Sequence, residues 1–296
     1  MNATSPEKLI IFDYSGTLSL EAPRFARPES LRRAFAESGL AGLGVANPKI
    51  FWERIVNPTW IEGSTTPAGY KRVMAERISA LQLAPGASAE EIRTAASRFV
   101  ESYLDRSGID PRWRPLLGRL SEHPKIGAVI ATDHYAEATG KIIHNLSLWE
   151  IPAEKIGSPF PPGERAEDTG ILPGNGIRTE PPYRHPFLVA NSADIGTWKE
   201  ESRFWKIVKE QRFPAKITKL LVIDDFGFNE EAGDRYGGGP AKIARRQEKT
   251  RASLLEVFQV KAEIIPFFIE GEQRYDDEAY AHLITETALH IDRFLQ

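Results

Sequence analysis

The chain has 296 residues, 41% of them hydrophobic and 27% charged, with a formal net charge of −3 at pH 7. That length supports one large domain or a core with an insertion, and the mild acidity gives no reason to expect a nucleic-acid or anionic-membrane partner. The absence of cysteine excludes disulfides, thiolate metal sites and a cysteine nucleophile. No apolar run approaches the roughly 20 residues of a membrane helix and the N-terminus lacks a signal layout, so a cytoplasmic location is expected.

In chain order, the first element is "KLIIFD", a dense apolar run ending at Asp13. Such a run without alternation predicts a strand covered on both faces of a parallel sheet. From Glu21 to Ser121 the sequence predicts helices only: "PESLRRAFAESGL", "PKIFWERIV", "PAGYKRVMAERISALQL", "SAEEIRTAASRFVESYLDR" and "RWRPLLGRLSEH". Their apolar residues recur at helical spacing, and Pro, Gly and Asn separate them. Trp52, Trp60 and Trp113 are expected to pack these helices together.

A second buried strand, "KIGAVIATD", ends at Thr132 and leads into "HYAEATGKIIHNL", a helix. Residues 151–186 are rich in Pro and Gly, a long excursion that reads as a lid or a surface insertion. "FLVANSADIG" reads as a strand and turn, "KEESRFWKIVKEQR" as a helix, and "KLLVIDD" as a strand ending at Asp224 and Asp225. "RYGGGPAKIARR" lacks the phosphate-loop pattern and reads as a flexible connection into a solvated helix. A strand at "AEIIPFFI" and a helix through "DDEAYAHLITETALHIDRFL" complete the chain.

Strands alternating with helices predict an α/β fold: a Rossmann-like, doubly wound parallel core with an inserted helical domain. The expected division is 1–20 and 122–296 for the core and 21–121 for the insertion. In such sheets ligands bind outside the carboxyl ends of the strands, where Asp13, Thr132, Asp224 and Asp225 all fall. Asp13 can serve as a carboxylate nucleophile. With it, Asp224 and Asp225 offer hard oxygen ligands to Mg²⁺. Thr132 offers a hydroxyl at a helix start, and Lys199 a charge to neutralise the nucleophile and a phosphate.

These residues carry a resemblance. "DYSGT" resembles the first motif of the haloacid dehalogenase-like superfamily, written D-x-D-G-T, and "AVIAT" resembles its second. "SADIGTWKEESRFW" resembles the stretch holding the third-motif lysine, and "LLVIDDFGFN" the acidic fourth motif. The helical insertion stands where that family places a C1-type cap. The resemblance implies a Mg²⁺-dependent phosphohydrolase or phosphotransferase working through an aspartyl-phosphate on a small phosphorylated metabolite. It makes Asp13 nucleophile and metal ligand, Thr132 the phosphate-binding hydroxyl and Lys199 the third-motif lysine, with Lys206 in reserve. Ser15 would give a metal its backbone carbonyl, Asp225 is the main fourth-motif ligand, and Asp224 and Asn229 support it. Gly16, Thr17 and Asp133 join Thr132 and Lys199 in contacting phosphate or substrate.

One departure stands out. Ser15 occupies the place of the second acid, which in the family's phosphatases protonates the leaving group and then activates water. A hydroxyl cannot replace it, and general acid–base help is worth about 10²–10⁴ in rate. The sequence leaves open a substrate needing no such help, a long-lived phosphoenzyme, or another acid moving in, with Glu62 and Glu21 as candidates. It also leaves open a non-catalytic descendant that binds a phosphorylated ligand or a protein partner. A third reading is a phosphonatase-like C–P hydrolase, whose cap lysine would be Lys49 or Lys71. His134 lies next to the second motif and could contact substrate. Neither the substrate's identity nor the oligomeric state is written in these residues.

Overall fold

The computed structural model describes residues 6–157, 185–213, 216–231, 233–234, 236–271 and 276–296. Most of the Pro/Gly-rich excursion expected from the sequence lies outside these residues.

Six strands form one sheet: β1 (Lys8–Phe12), β2 (Ile126–Thr132), β3 (Ala153–Lys155), β4 (Phe187–Asn191), β5 (Lys219–Asp224) and β6 (Ala262–Pro266). Their order is β3-β4-β2-β1-β5-β6 and every pairing is parallel. β3 is short and partly exposed, which is why no apolar run announces it. Between β1 and β2 lie α1 (Glu21–Phe25), α2 (Pro28–Ser38), α3 (Pro48–Ile50), α4 (Asn57–Thr65), α5 (Tyr70–Leu81), α6 (Ala89–Arg106) and α7 (Arg114–Glu122). The remaining helices are α8 (Glu137–Ser147), α9 (Ser192–Ile195), α10 (Ser202–Arg212), α11 (Pro240–Phe258) and α12 (Asp277–Leu295).

Alternation along the strands sends successive side chains to opposite faces. Ile10, Phe12, Ile126, Ala128 and Ile130 pack with α7, α8 and α12. Leu9, Ile11, Val129 and Ala131 pack with α10 and α11 on the other side. Both faces are therefore covered, as an all-parallel sheet requires. Because β4, β2, β1 and β5 are neighbours, the loops leaving their carboxyl ends converge above the middle of the sheet.

The helices from α1 to α6 close around a third apolar core, in which Phe35, Phe51 and Phe99 are fully or nearly fully buried. α6 is fixed at its start by a capping box between Ser88 and Glu91. The expected boundary at 121 falls too late. Ile109, Trp113, Leu116, Leu117 and Leu120 belong to the core of the sheet, so α7 is a covering helix of the sheet. Trp113, expected among the inserted helices, instead donates from Nε1 to the Thr17 carbonyl at 3.2 Å.

Two local features shape the inserted helices. A π-helical stretch, Phe51–Val56, links α3 to α4. Pro58 has no N–H to give the Arg54 carbonyl, and that carbonyl accepts from Arg77 Nε at 2.7 Å. At the start of α5 the free N–H groups of Tyr70 and Lys71 donate to the Glu137 carboxylate, at 2.7 and 3.1 Å. Glu137 belongs to α8, so a residue of the sheet layer caps an inserted helix.

Candidate active site

β1 and β5 deliver the acids. Asp13 follows β1, its N–H donating to the Ile223 carbonyl at 2.9 Å, while Asp224 ends β5 and Asp225 follows it. Beyond them the chain turns sharply through Phe226 (φ +53°) and Gly227 (φ +80°), with the Phe226 N–H donating to Asp224 Oδ1 at 2.6 Å. Carboxylate oxygens of Asp13, Asp224 and Asp225 lie within 4.8 Å of one another, and all three residues are buried.

Lys199 reaches the same point. Its Nζ stands 2.5 Å from Asp13 Oδ1 and 2.8 Å from Asp224 Oδ2. It does not begin a helix, as the sequence suggested; it lies in the turn three residues before α10. That turn is held from both sides. The Lys199 N–H donates to Asp133 Oδ1 at 2.9 Å, and Trp205 Nε1 donates to the Lys199 carbonyl at 2.7 Å. Burial alone would lower the Lys199 ammonium, but Asp13 and Asp224 hold it well above its ordinary value. Lys206, the reserve candidate, is exposed and pairs with Glu256 at 2.8 Å.

The charges do not balance without a further cation. Three carboxylates face the Lys199 ammonium, and even with the Arg246 guanidinium acting on Asp224 and Asp225 the buried cluster stays formally negative. Burial, with Asp224 and Asp225 nearby, pushes the Asp13 carboxyl up, against the pull of Lys199. Burial and the neighbouring Asp224 and Glu230 push Asp225 up to about 8. Asp225 Oδ2 accepts from the Asn229 N–H at 2.7 Å, while its Oδ1 is buried with no hydrogen-bond partner. An orphaned carboxylate oxygen in an over-negative cluster of hard ligands suits a divalent cation.

Several residues expected to touch metal or phosphate have other tasks. Asn229 spends its amide on bracing: Nδ2 donates to the carbonyls of Gly16 and Phe267, at 2.7 and 3.0 Å, and Oδ1 accepts from Tyr280 at 2.7 Å. The Gly16 N–H donates to the Ser19 carbonyl at 2.9 Å, and the buried Thr17 hydroxyl accepts from the Asp225 N–H at 3.2 Å. Gly16 is required for another reason. At φ +77°, a Cβ there would stand 2.7 Å from Asp225 Oδ2. Thr132 is the last residue of β2, with α8 starting only at Glu137, so its hydroxyl is presented by a strand end. Arg246, on the helix expected to be solvated, is buried over Tyr236 and donates to the carbonyls of Phe226 and Tyr236.

A cavity of ≈ 670 Å³, counted to its open mouth, lies above Asp13. Ser15, Thr132, Asp133 and His134 line it from the sheet side, and Trp52 and Trp60 from the inserted helices. The histidine is neutral, burial pushing it down to about 4. Its Nδ1 accepts from the Tyr135 N–H, so Nε2 carries the proton toward the Tyr103 hydroxyl at 2.8 Å. Burial raises Asp133 to about 6 despite Lys199.

The sequence did not point to Glu230, which also lines this cavity. Ser15 Oγ donates to Glu230 Oε1 at 2.7 Å. The half-buried carboxyl is pushed up to about 8 by burial and by Asp234, against the hydrogen bond from Ser15. The acids proposed from sequence are elsewhere: Glu21 pairs with Arg24 at 2.7 Å and Glu62 with Arg72 at 3.6 Å. Glu230 could have been suspected from "DDFGFNEEAGD", where acids continue past the fourth motif through a tight turn.

No family model matches the sequence, and no curated protein matches it either. Among solved structures, a 2-haloacid dehalogenase from Pseudomonas syringae pv. Tomato DC3000 is similar at 18% identity and a TM-score of 0.45, over 78% of this chain and 83% of that one. The putative HAD-hydrolase YfnB from Bacillus subtilis, bound to magnesium, is similar at 16% identity and a TM-score of 0.40, over 75% and 79%. Among the described residues no helix is long and apolar enough to cross a membrane.

Proposed function

We propose that the chain is a Mg²⁺-dependent phosphohydrolase or phosphotransferase that acts on a small phosphorylated metabolite through an aspartyl-phosphate on Asp13. The observation that carries this reading is the buried Asp13 carboxylate at the floor of a cavity, 2.5 Å from the Lys199 ammonium, with Asp224 and Asp225 beside it. It agrees with the four-motif resemblance to the haloacid dehalogenase-like superfamily. Asp13, Asp224 and Asp225, with the Ser15 carbonyl, would hold the divalent cation, which when bound offsets charge on the phosphoryl oxygens.

The chain's own groups then divide the work. An Asp13 carboxylate oxygen attacks phosphorus and the bond from phosphorus to the leaving oxygen breaks. That oxygen takes a proton from Glu230, the acid hydrogen-bonded to Ser15. Water then attacks phosphorus and gives its proton to Glu230, and the phosphorus–Asp13 bond breaks. The carboxylate is restored and phosphate leaves. Lys199 offsets charge at Asp13 in both steps, and Thr132 offers its hydroxyl to the phosphoryl group.

Glu230 also bears on the other readings. Ser15 was the reason to consider a non-catalytic binding module, and an acid bonded to Ser15 weakens that reason. For a C–P hydrolase a free cap lysine is needed, yet Lys71 pairs with Glu101 at 2.6 Å and Lys49 lies 3.9 Å from Glu53. Neither lines the cavity.

The test is trapping. Incubation with Mg²⁺ and acetyl phosphate, followed by acid quench and peptide mass analysis, should place a phosphate adduct on Asp13. The adduct should be missing without Mg²⁺ and in Asp13→Asn. No adduct, with Mg²⁺ binding demonstrated, would overturn the proposal.

A further inference from the structure

We infer that the organic part of the substrate carries a positive charge: the cavity suits the phosphomonoester of an alcohol bearing a substituted ammonium group. The inference rests on the phosphoryl-transfer reading of Asp13 and extends it to the substrate.

Three features of the cavity carry it. First, its walls are aromatic. Trp60 stands edge-on to Tyr135 (centroids 5.4 Å apart, planes at 88°) and tilted to Tyr236 (6.0 Å, 57°), forming a corner. Tyr70 stacks on Tyr135 at 3.9 Å, and Trp52 and Tyr103 also line the space. Ring faces attract cations, and substituted ammonium ions are favoured because they shed water easily. Second, the charged side chains that line the cavity are acids alone. Beyond Asp13 these are Asp133 and Asp234, with Glu230, pushed up to about 8, holding its proton near neutral pH, and no lysine or arginine among the described residues lines it. His134 adds no charge near neutral pH. Third, the basic side chains around it are committed to other partners, Lys199 Nζ among them, held between Asp13 Oδ1 and Asp224 Oδ2. Arg246 lies against the Tyr236 ring, 3.9 Å from its centroid, and donates to the Phe226 and Tyr236 carbonyls, while Lys242 Nζ donates to the Gly237 carbonyl at 2.7 Å.

A substrate with a second anionic group would therefore bring it against carboxylates, with no lining cation among the described residues to receive it. A neutral apolar body would fill the space but make no use of Asp234, whose carboxylate Lys242 and Arg246 offset only from outside the cavity lining. An ammonium head answers both features. Asp234 is only partly buried, and its Oδ1 accepts from the Tyr236 N–H at 2.7 Å. The loop thus fixes the carboxylate beside the ring that it would assist.

The experiment compares three phosphomonoesters with the wild-type protein and Mg²⁺: phosphocholine, its neutral carbon isostere 3,3-dimethylbutyl phosphate, and the anionic phosphoglycolate. The expected order of kcat/KM is cation, neutral, anion, with phosphocholine ahead of its isostere by about tenfold or more, as cation–π and carboxylate attraction in a desolvated site allow. That ratio should fall toward one in Asp234→Asn and in Trp60→Leu. An isostere turned over as fast as phosphocholine, or a fastest phosphoglycolate, would overturn the inference. If all three esters are inert, acetyl phosphate separates the cases. Labelling of Asp13 would then reject the ammonium substrate and keep the phosphoryl chemistry, whereas absence of labelling would reject both.

Discussion

Ser15 and Glu230 lie 215 positions apart in the chain and share a hydrogen bond of 2.7 Å. The tight turn after β5 swings Glu230 back over the strand end that carries Asp13. On the proposed reading, the acid absent from the first motif would be supplied by this loop on the neighbouring strand.

If Glu230 exchanges the protons of both steps, Glu230→Gln should prolong the life of the Asp13 adduct. The expected slowing of dephosphorylation is about 10²–10⁴-fold, read by rapid quench after loading with acetyl phosphate, a leaving group that needs little protonation. Formation of the adduct should be less affected than its loss.

A reciprocal exchange separates this role from packing. Ser15→Asp alone sets two carboxylates at hydrogen-bond distance, where they must share a proton, and should bring little gain. In the Glu230→Gln background the same Ser15→Asp change should recover most of the lost rate, because the acid is returned by the other partner. A double variant no faster than Glu230→Gln would argue against interchangeable carboxylates.

Gly16→Ala tests how the turn sets the metal acids. The residue sits at φ +77° and its Cβ would stand 2.7 Å from Asp225 Oδ2. Backbone strain of this kind costs about 1–3 kcal/mol, so a lower midpoint in urea is expected. Weaker Mg²⁺ binding by calorimetry should accompany it, since Asp225 must shift.

His134 gives a pH signature. Its folded-state value of about 4 lies below the ordinary 6.5, so the unfolded chain takes up the proton first. The resulting loss of stability begins as pH falls through 6.5 and is complete near 4, amounting to about 3 kcal/mol at about 1.4 kcal/mol per unit. Asp133, raised to about 6, works in the opposite sense over the same interval, because its protonation relieves a buried charge. The wild-type curve alone is therefore uninformative. The stability difference between wild type and His134→Gln, from urea unfolding at pH 7 and pH 4, should shift against wild type by up to that amount.

Much of this was legible in the sequence, for physical reasons. Strands buried on both faces must be continuous apolar runs, so β1, β2, β4 and β5 were readable, and with them the acids at their ends. β3 and the inclusion of α7 in the sheet's core were not. The former is short and exposed, and an amphipathic helix does not record which layer it faces. Lys199 could be chosen by spacing, but its buried pairing with Asp13 and Asp224 depends on a turn fixed by Asp133 and Trp205. Glu230 was hidden because sequence arguments for a replacement acid looked to the inserted helices. The reversal at Phe226 and Gly227, which brings Glu230 to Ser15, is tertiary information. Trp52 and Trp60 pack against the core of the inserted helices, as expected. Trp60 looks like packing on a helix, and only the placement of Tyr135 and Tyr236 makes it part of a cavity.

The central claim is that the group carried by Asp13 is phosphoryl and that water attacks it at phosphorus. Hydrolysis of acetyl phosphate by the Mg²⁺-loaded protein in ¹⁸O-water tests this directly, by mass analysis of the products and of the Asp13 peptide after many turnovers. The label is expected in released phosphate, with none in acetate or in the Asp13 carboxylate. Label accumulating in Asp13 would mean that water attacks the side-chain carbonyl carbon, as it would for an ester formed on substrate carbon, and would contradict the account.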